Sequence, residues 1–216
     1  MKQITQVERI KRFKLTCTLN DNGVERHFYC GHEYVEIGGI KWATCNVGAR
    51  KETDYGKYFA WGETIGFINA SGKRFTQEDY KFGYDASKYI KTVLKPIDDA
   101  VASAWGNGWR MPTREEYIVL GKATISKWVT NYKCSGVNGF ILTDKEDPSK
   151  KLFFPACGYC YYGSVSSVGS NGDYWSSSLL SNSVQRAYRL SFYDGYVNWQ
   201  YIGTCFIGCP VRGVIG

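Results

Sequence analysis

The chain has 216 residues, 44% of them hydrophobic and 16% aromatic, enough to bury a full core as one domain and too apolar for a disordered chain. Its formal charge of +7 arises from 27 Lys and Arg scattered among 20 acids. The longest basic cluster is the mixed run from Arg9 to Lys14, so a solvated charged face is the reading and nucleic acid is not the expected partner.

In chain order, residues 12–30 read as a β-hairpin. Phe13, Leu15, Cys17 and Leu19 alternate with Lys14, Thr16 and Thr18, and Asn20-Asp21-Asn22-Gly23 supplies the turn. Such a turn brings Cys17 and Cys30 near one another, as a disulfide or, by default, as two small buried hydrophobes. Residues 1–32 are taken as a hairpin appendage and residues 33–216 as the main domain. From Glu33 onward short strands are broken by glycine: residues 34–37, the turn Gly38-Gly39, residues 40–48 and residues 58–64, then a polar loop over 69–87. Residues 98–106 predict a short helix with Asp98 and Asp99 at its positive end. The clearest helix start is at Thr113, the expected N-cap. Glu116 completes a capping box there, and Tyr117, Val119 and Leu120 begin an apolar face. Residues 139–143 and 152–156 read as strands, and a Gly/Ser loop over 163–172 leads into a strand at Tyr174-Trp175. The predicted class is α+β: two short helices and many short antiparallel strands, without βαβ alternation.

Candidates for chemistry are sparse. Eight cysteines stand at 17, 30, 45, 134, 157, 160, 205 and 209. The first ten residues lack the apolar core of a signal peptide, and no run of about 18 apolar residues could span a membrane, so folding in cytoplasm with reduced, buried thiols is favoured over removal of a leader and an oxidising compartment, where the eight could make four disulfides. Cys157 and Cys160 form a CxxC, but no second pair follows and His27 and His32 lie far upstream, so neither zinc nor redox use is the default. Cys205 and Cys209 have no base nearby in sequence and read as loop packing. Asp98-Asp99 and Glu115-Glu116 sit at helix starts, where carboxylates are favourable anyway. No phosphate loop, serine elbow, HExxH or EF-hand pattern occurs. No catalytic residue, metal ligand or cofactor is therefore predicted, and the weight falls on a binding module.

The tail stands apart. No Lys or Glu occurs between Leu152 and Gly216, although the first 151 residues hold 17 Lys and an even spread would put roughly seven in the tail. Tyr, Ser, Asn and Gly stand instead, the mix of contact surfaces in which Tyr gives rigid amphipathic area and Ser, Gly and Asn adaptable hydrogen bonds. A Tyr-rich sheet whose aromatics pack on each other is the alternative.

Several blocks in order carry a resemblance: Tyr34-Val35-Glu36-Ile37-Gly38-Gly39-Ile40-Lys41-Trp42-Ala43-Thr44-Cys45-Asn46-Val47-Gly48-Ala49, Tyr58-Phe59-Ala60-Trp61-Gly62-Glu63, Gly108-Trp109-Arg110-Met111-Pro112-Thr113, Phe154-Pro155-Ala156-Cys157-Gly158 and Tyr174-Trp175-Ser176-Ser177-Ser178. Over about residues 33–214 the chain resembles the Fibrobacter succinogenes major paralogous domain, common in gut Bacteroidetes and their phages. The resemblance implies a C-type lectin-like fold of the branch shared with formylglycine-generating enzymes and with variable proteins of diversity-generating retroelements. In those variable proteins an adenine-specific, error-prone reverse transcriptase rewrites the C-terminal coding region, and the lectin fold displays the rewritten side chains as a ligand-binding surface.

Randomised adenines in AAC or AAT codons cannot yield Lys, Glu, Gln, Met or Trp, and Lys, Glu and Met are missing from the tail. The implied ligand-binding set is Leu179, Leu180, Asn182, Tyr193, Asp194, Tyr196, Asn198, Trp199, Tyr201, Ile202, Thr204 and Phe206, with help from the loop at 159–162. Trp199, with Gln185 and Gln200, is not reachable from such codons and reads as fixed or as arising from other codons. Tyr174, Trp175, Ala187, Leu190, Phe192, Gly195, Val197, Gly208, Val211 and Val214 are the implied frame, and Arg212 is expected inside, bonded to backbone carbonyls or an acid. The family often carries Arg and Ser where residues 204–210 here hold Cys and Pro. The implied function is non-enzymatic receptor recognition by a phage tail tip or a cell-surface adhesin. Its partner would be a host-surface protein or glycan, with no nucleic acid, no membrane insertion and no calcium, and a trimer or virion assembly is compatible with it. Two rivals stay open: an oxidoreductase using Cys205 and Cys209 around copper, and an adhesin domain that is not diversified.

Overall fold

The computed structural model describes residues 16–21, 24–69, 71–82, 92–183 and 185–215. The architecture is mostly antiparallel strand with two α-helices among the described residues. A six-stranded sheet runs in the order β1 (Thr16–Asp21), β2 (Val24–Tyr29), β3 (His32–Ile37), β4 (Ile40–Asn46), β14 (Arg212–Ile215) and β5 (Trp109–Arg110). Glycine makes its tight turns. At Gly38-Gly39 both φ values are positive, 60° and 74°, with Ile37 opposite Ile40, the two-residue hairpin geometry that matches strand twist. Cys30-Gly31 does the same, with φ of 47° and 82°.

The Cys30-Gly31 turn corrects the expected appendage. Strand β2 pairs with β3, His27 opposite Tyr34 and Tyr29 opposite His32, so the hairpin continues the main sheet and no break falls at residue 32. Residues 12–15 and 22–23 of the predicted hairpin lie outside the described residues. Cys17 is exposed opposite Phe28, and Cys30 sits in the turn beyond Tyr29, so the two thiols are neither bonded nor buried together.

Both helices start as their sequences require. In α1 (Ala100–Trp105) the N-cap carboxylate of Asp99 accepts from Val101 N and Ala102 N, both at 2.9 Å, and its other oxygen accepts from Met111 N. In α2 (Arg114–Ala123) the capping box is complete. Thr113 Oγ1 accepts from Glu116 N, and Thr113 N donates to Glu116 Oε2. Arg110 clamps the same carboxylate at 2.6 and 2.7 Å. Burial would raise the Glu116 pKa, but Arg110 and the capping donors outweigh it and hold the carboxyl below its usual value. Tyr117 and Leu120 are buried as predicted, whereas Val119 is 38% exposed and leaves the apolar face.

A three-stranded sheet, β6 (Thr124–Val129), β7 (Gly139–Asp144) and β8 (Lys151–Pro155), follows α2. β6 was not predicted. Residues 58–64 form isolated bridges, Tyr58 to Phe67 and Phe59 to Cys209, where a strand was expected. The predicted loop at 163–172 contains β10 (Ser164–Ser166), paired with β9 (Tyr159–Tyr161), and the start of β11 (Asn171–Leu179). β11, β12 (Arg186–Tyr193) and β13 (Tyr196–Thr204) make the last sheet. Two apolar clusters fill the interior. One gathers Phe59, Trp61, Phe75, Trp175, Cys205 and Cys209, and the other Trp42, Tyr117, Phe140, Phe154, Tyr174 and Phe192.

Arg212, at the start of β14, is fully buried. Its Nε donates to Asn46 Oδ1 at 2.8 Å, Nη1 to the carbonyls of Ala43 and Thr44 at 3.1 and 2.7 Å, and Nη2 to the Phe153 carbonyl at 3.1 Å. Its guanidinium carbon lies 4.3 Å from the Phe154 ring centre. The expectation of carbonyl partners holds, and it ties β4, β8 and β14 at one point. Arg212→Met preserves bulk but strands those acceptors without donors. Chemical denaturation should show a loss on the order of 3 kcal/mol or more; a loss below about 1 kcal/mol would mean that the acceptors find other donors.

Candidate functional site

The site grows from the register of β11, β12 and β13. Asp173 stands opposite Ser191 and Trp175 opposite Arg189, and side chains two apart on a strand share a face. Asp173, Trp175, Arg189 and Ser191 therefore line one side of the sheet. Arg189 in turn faces Tyr201 on β13, and Ser191 faces Asn198. One residue on β12 thus faces two on β13, a β-bulge that places both Trp199 and Gln200 opposite Leu190. The extra residue shifts the alternation by one, so Tyr196 and Tyr201, five apart, share a face.

That face carries a cavity of ≈ 370 Å³ walled chiefly by Tyr159, Tyr161, Tyr193, Tyr196, Tyr201 and Phe206, with Asp173 and Arg189 among its lining. Tyr193 and Tyr196 stack at 4.7 Å across the Asp194-Gly195 turn, where Gly195 takes φ 77°. Tyr161 stacks on Phe206 at 6.0 Å. These rings are half-open to solvent, Tyr193 at 45%, Tyr161 at 40% and Tyr201 at 39%. Asp173 and Arg189 are 2% and 8% exposed. Asp173 Oδ1 and Arg189 Nε lie 3.2 Å apart, yet neither atom makes a hydrogen bond. Arg189 Nη1 reaches Cys209 Sγ at 3.4 Å, and the guanidinium lies 5.0 Å from the Tyr201 ring centre and 5.6 Å from that of Trp175. Burial raises the Asp173 pKa against the pull of Arg189 and Ser191. For Arg189 burial acts to lower the pKa, and Cys209 and Asp173 together outweigh it.

Residues 138–209 match a family described as a Domain of unknown function (DUF8237). The matched third of the chain contains every residue lining the cavity. No curated protein and no solved structure matches the chain.

The predicted ligand-binding residues divide. Tyr193, Tyr196, Tyr201, Thr204 and Phe206 line the cavity together with Tyr159 and Tyr161. Asp194 lines a second cavity, of ≈ 400 Å³, with Lys127 and Trp128, which Tyr196 also borders. Asn198 is half-buried and engaged locally, its Oδ1 accepting from Gln200 N and its Nδ2 donating to Tyr196 Oη. Leu179 is a correction: at 8% exposure it belongs to the core, because β11 is buried through nearly its whole length. Leu180 and Asn182 follow it in the β11–β12 connection and do not line the cavity. Trp199 is a second correction. It packs with the cluster around Tyr117, over Gly121 of α2, whose missing side chain admits the indole; a Cβ there would stand 2.5 Å from the ring. Ile202 is 42% exposed on the face opposite Tyr201.

Sequence reasoning missed Asp173 and Arg189. One signal was available: Asp173 is one of only two acids after residue 151, with Asp194, and an acid inside a strand-like run needs a partner.

The cysteines flanking this region are packed inside. Cys157, Cys160, Cys205 and Cys209 are each 1% exposed or less. Burial pushes the thiols of Cys157 and Cys205 up to about 12, and that of Cys209 higher, despite Arg189. The closing loop is held by backbone instead. Phe59 and Cys209 exchange hydrogen bonds at 2.9 and 3.0 Å, and Cys160 and Gly208 at 2.7 and 3.0 Å. Among the described residues no three His, Cys, Asp or Glu side chains converge as a metal site requires, and no helix is long and apolar enough to cross a membrane.

Alkylation of the native chain, mapped by mass spectrometry, should mark the exposed Cys17 and Cys134 first and spare Cys157, Cys160, Cys205 and Cys209 until denaturant is added. Rapid labelling of Cys205 or Cys209 in the native state would contradict the packing described.

Proposed function

We propose that the chain is a non-enzymatic ligand-binding protein of C-type lectin-like fold, in the branch shared with formylglycine-generating enzymes. Its C-terminal region, about residues 174–214, presents a contact surface diversified by a retroelement. The observation that carries this reading is the separation of the tail into two sets. Tyr174, Trp175, Ala187, Leu190, Phe192, Gly208, Val211 and Val214 are buried, while Tyr193, Tyr196 and Tyr201 stand 38–45% exposed around one cavity. Exposed rings on a rigid sheet supply contact area at low entropic cost, and a few such aromatics dominate binding energy. Two helices and short antiparallel strands, with β14 closing between β4 and β5, support the fold. Strongly protonated, buried thiols at Cys205 and Cys209 favour binding over the oxidoreductase reading, because the thiolate is the form that attacks or ligates.

In this reading the protein belongs to a phage tail tip or a bacterial cell surface and meets a host-surface protein or glycan. A reverse transcriptase gene nearby, with a near-repeat of the 3′ coding sequence, distinguishes a diversified protein from a fixed adhesin domain. Replacing Tyr196 and Tyr201 together by Ala should weaken binding to the cognate cell surface by roughly 100-fold, as for loss of two central aromatics, with the unfolding midpoint little changed. Binding that survives the double substitution places the contact elsewhere.

A further inference from the structure

The outer edge of the large sheet is open. β1 pairs with β2 on one side and, among the described residues, with no strand on the other. An unpaired strand edge is a template for another strand, and proteins blunt it with short length, charge, proline or a bulge. Other outer strands of this chain are blunted in those ways. β5 has two residues, β6 carries Lys127, β8 runs from Lys151 to Pro155 and β13 is bulged. From Thr16 to Asn20, β1 has no charge, proline or glycine and an unbroken register with β2. These residues are exposed, Leu19 at 51%.

Backbone alternation fixes which groups face outward. Tyr29 and His32 flank the two-residue turn at Cys30-Gly31, and such a closing pair exchanges backbone hydrogen bonds. One residue back along β2, Phe28 therefore turns its backbone toward β1 and its register partner Cys17. Thr16 and Thr18, to either side of Cys17, turn N–H and C=O to the open side.

The strand that matches this edge is a second β1. In an antiparallel two-fold pairing centred on Cys17, Thr16 and Thr18 exchange hydrogen bonds with Thr18 and Thr16 of the second copy, a favourable cross-strand combination. Cys17 meets Cys17 of the second copy at a non-hydrogen-bonded position, where Cα atoms stand about 4.5 Å apart. Asp21, the one charged residue of the strand, falls at opposite ends in the two copies. The chain as a whole carries +7, so an uncharged edge is where two copies meet without repulsion, whereas a charged peptide finds no counter-charge on residues 16–20. We propose that β1 is a self-association edge, through which two copies join about a two-fold axis and extend the six-stranded sheet across the dimer. So short an interface makes the dimer weak and transient. The proposal concerns the far end of the chain from the tail and does not depend on what the tail binds.

The test is cross-linking of the full chain by copper–phenanthroline in air, over a dilution series. Two thiols become one disulfide, and their two electrons and two protons pass to oxygen. A covalent dimer should form with its bond mapped by mass spectrometry to Cys17 on both copies, within the span a disulfide needs. Cys134 is exposed too and reports collision alone. Thr18→Pro removes an N–H that β2 does not use, and Leu19→Lys supplies the charge that blunts natural edges; each should cut the Cys17 dimer roughly tenfold while leaving Cys17 in place. Without oxidant, the weight-average mass in sedimentation should rise from 24.5 kDa toward twice that with concentration. The Thr16 and Thr18 amides should exchange fast in dilute solution and slow in concentrated solution, a readout that stands even if a variant does not fold. Linkage at Cys17 no better than at Cys134, or unaffected by both substitutions, would overturn the proposal. So would Thr16 and Thr18 amides already protected in the dilute chain, which would put another segment of the same chain on the edge.

Discussion

One buried guanidinium couples parts of the chain that are far apart in sequence. Arg212 reaches Ala43, Thr44 and Asn46 on β4 and Phe153 on β8, so β14 cannot dock unless both earlier strands are in place. Its charge is met by carbonyl and amide oxygens and by the Phe154 ring. Such an arrangement is favourable only when nearly every donor is used, and strongly unfavourable when the acceptors are left bare. The segment just before it, with Gly208 and Cys209 bonded to Cys160 and Phe59, directly follows Thr204, Phe206 and Ile207 of the cavity lining. Holding Arg212 therefore also holds the wall.

The same economy explains the bulge. A regular β13 would place Tyr196 and Tyr201 on opposite faces. The extra residue opposite Leu190 brings both to the open face and turns Trp199 inward onto Gly121. The partly buried indole anchors the strand, packed against the cluster around Tyr117, while Tyr196 and Tyr201 stay exposed. A strand anchored on one face and loosely packed on the other tolerates many side chains on the second, which is what an exchangeable surface demands.

Much of this was legible in the residues. The capping box at Thr113 and Glu116, the glycine turn at 38 and 39 and the α+β class follow from local chemistry. The tyrosines at 193, 196 and 201 were implied by the family resemblance, in a tail whose composition alone fitted a contact surface and a packed sheet equally. Less legible was anything set by register. Leu179 reads as one more variable position until β11 is seen to be buried along its length, and Trp199 and Tyr201 differ in face only because of a bulge that no local pattern announces. Asp173 and Arg189 are sixteen residues apart and become a pair only when β11 and β12 align. The hairpin at residues 16–29 looked detachable because its pairing to β3 depends on the two-residue turn at Cys30-Gly31, where Cys is an unusual occupant of positive φ.

The account's central claim is that the tail is a fixed frame carrying an exchangeable wall. Saturation mutagenesis of residues 152–214, scored by surface display of folded protein, tests it without knowledge of any ligand. Tyr161, Tyr193, Tyr196 and Tyr201 should accept almost any residue with display unchanged, while Trp175, Leu190, Phe192 and Arg212 should accept few. Equal intolerance at the two sets of positions would contradict the claim and make the tyrosines part of the core.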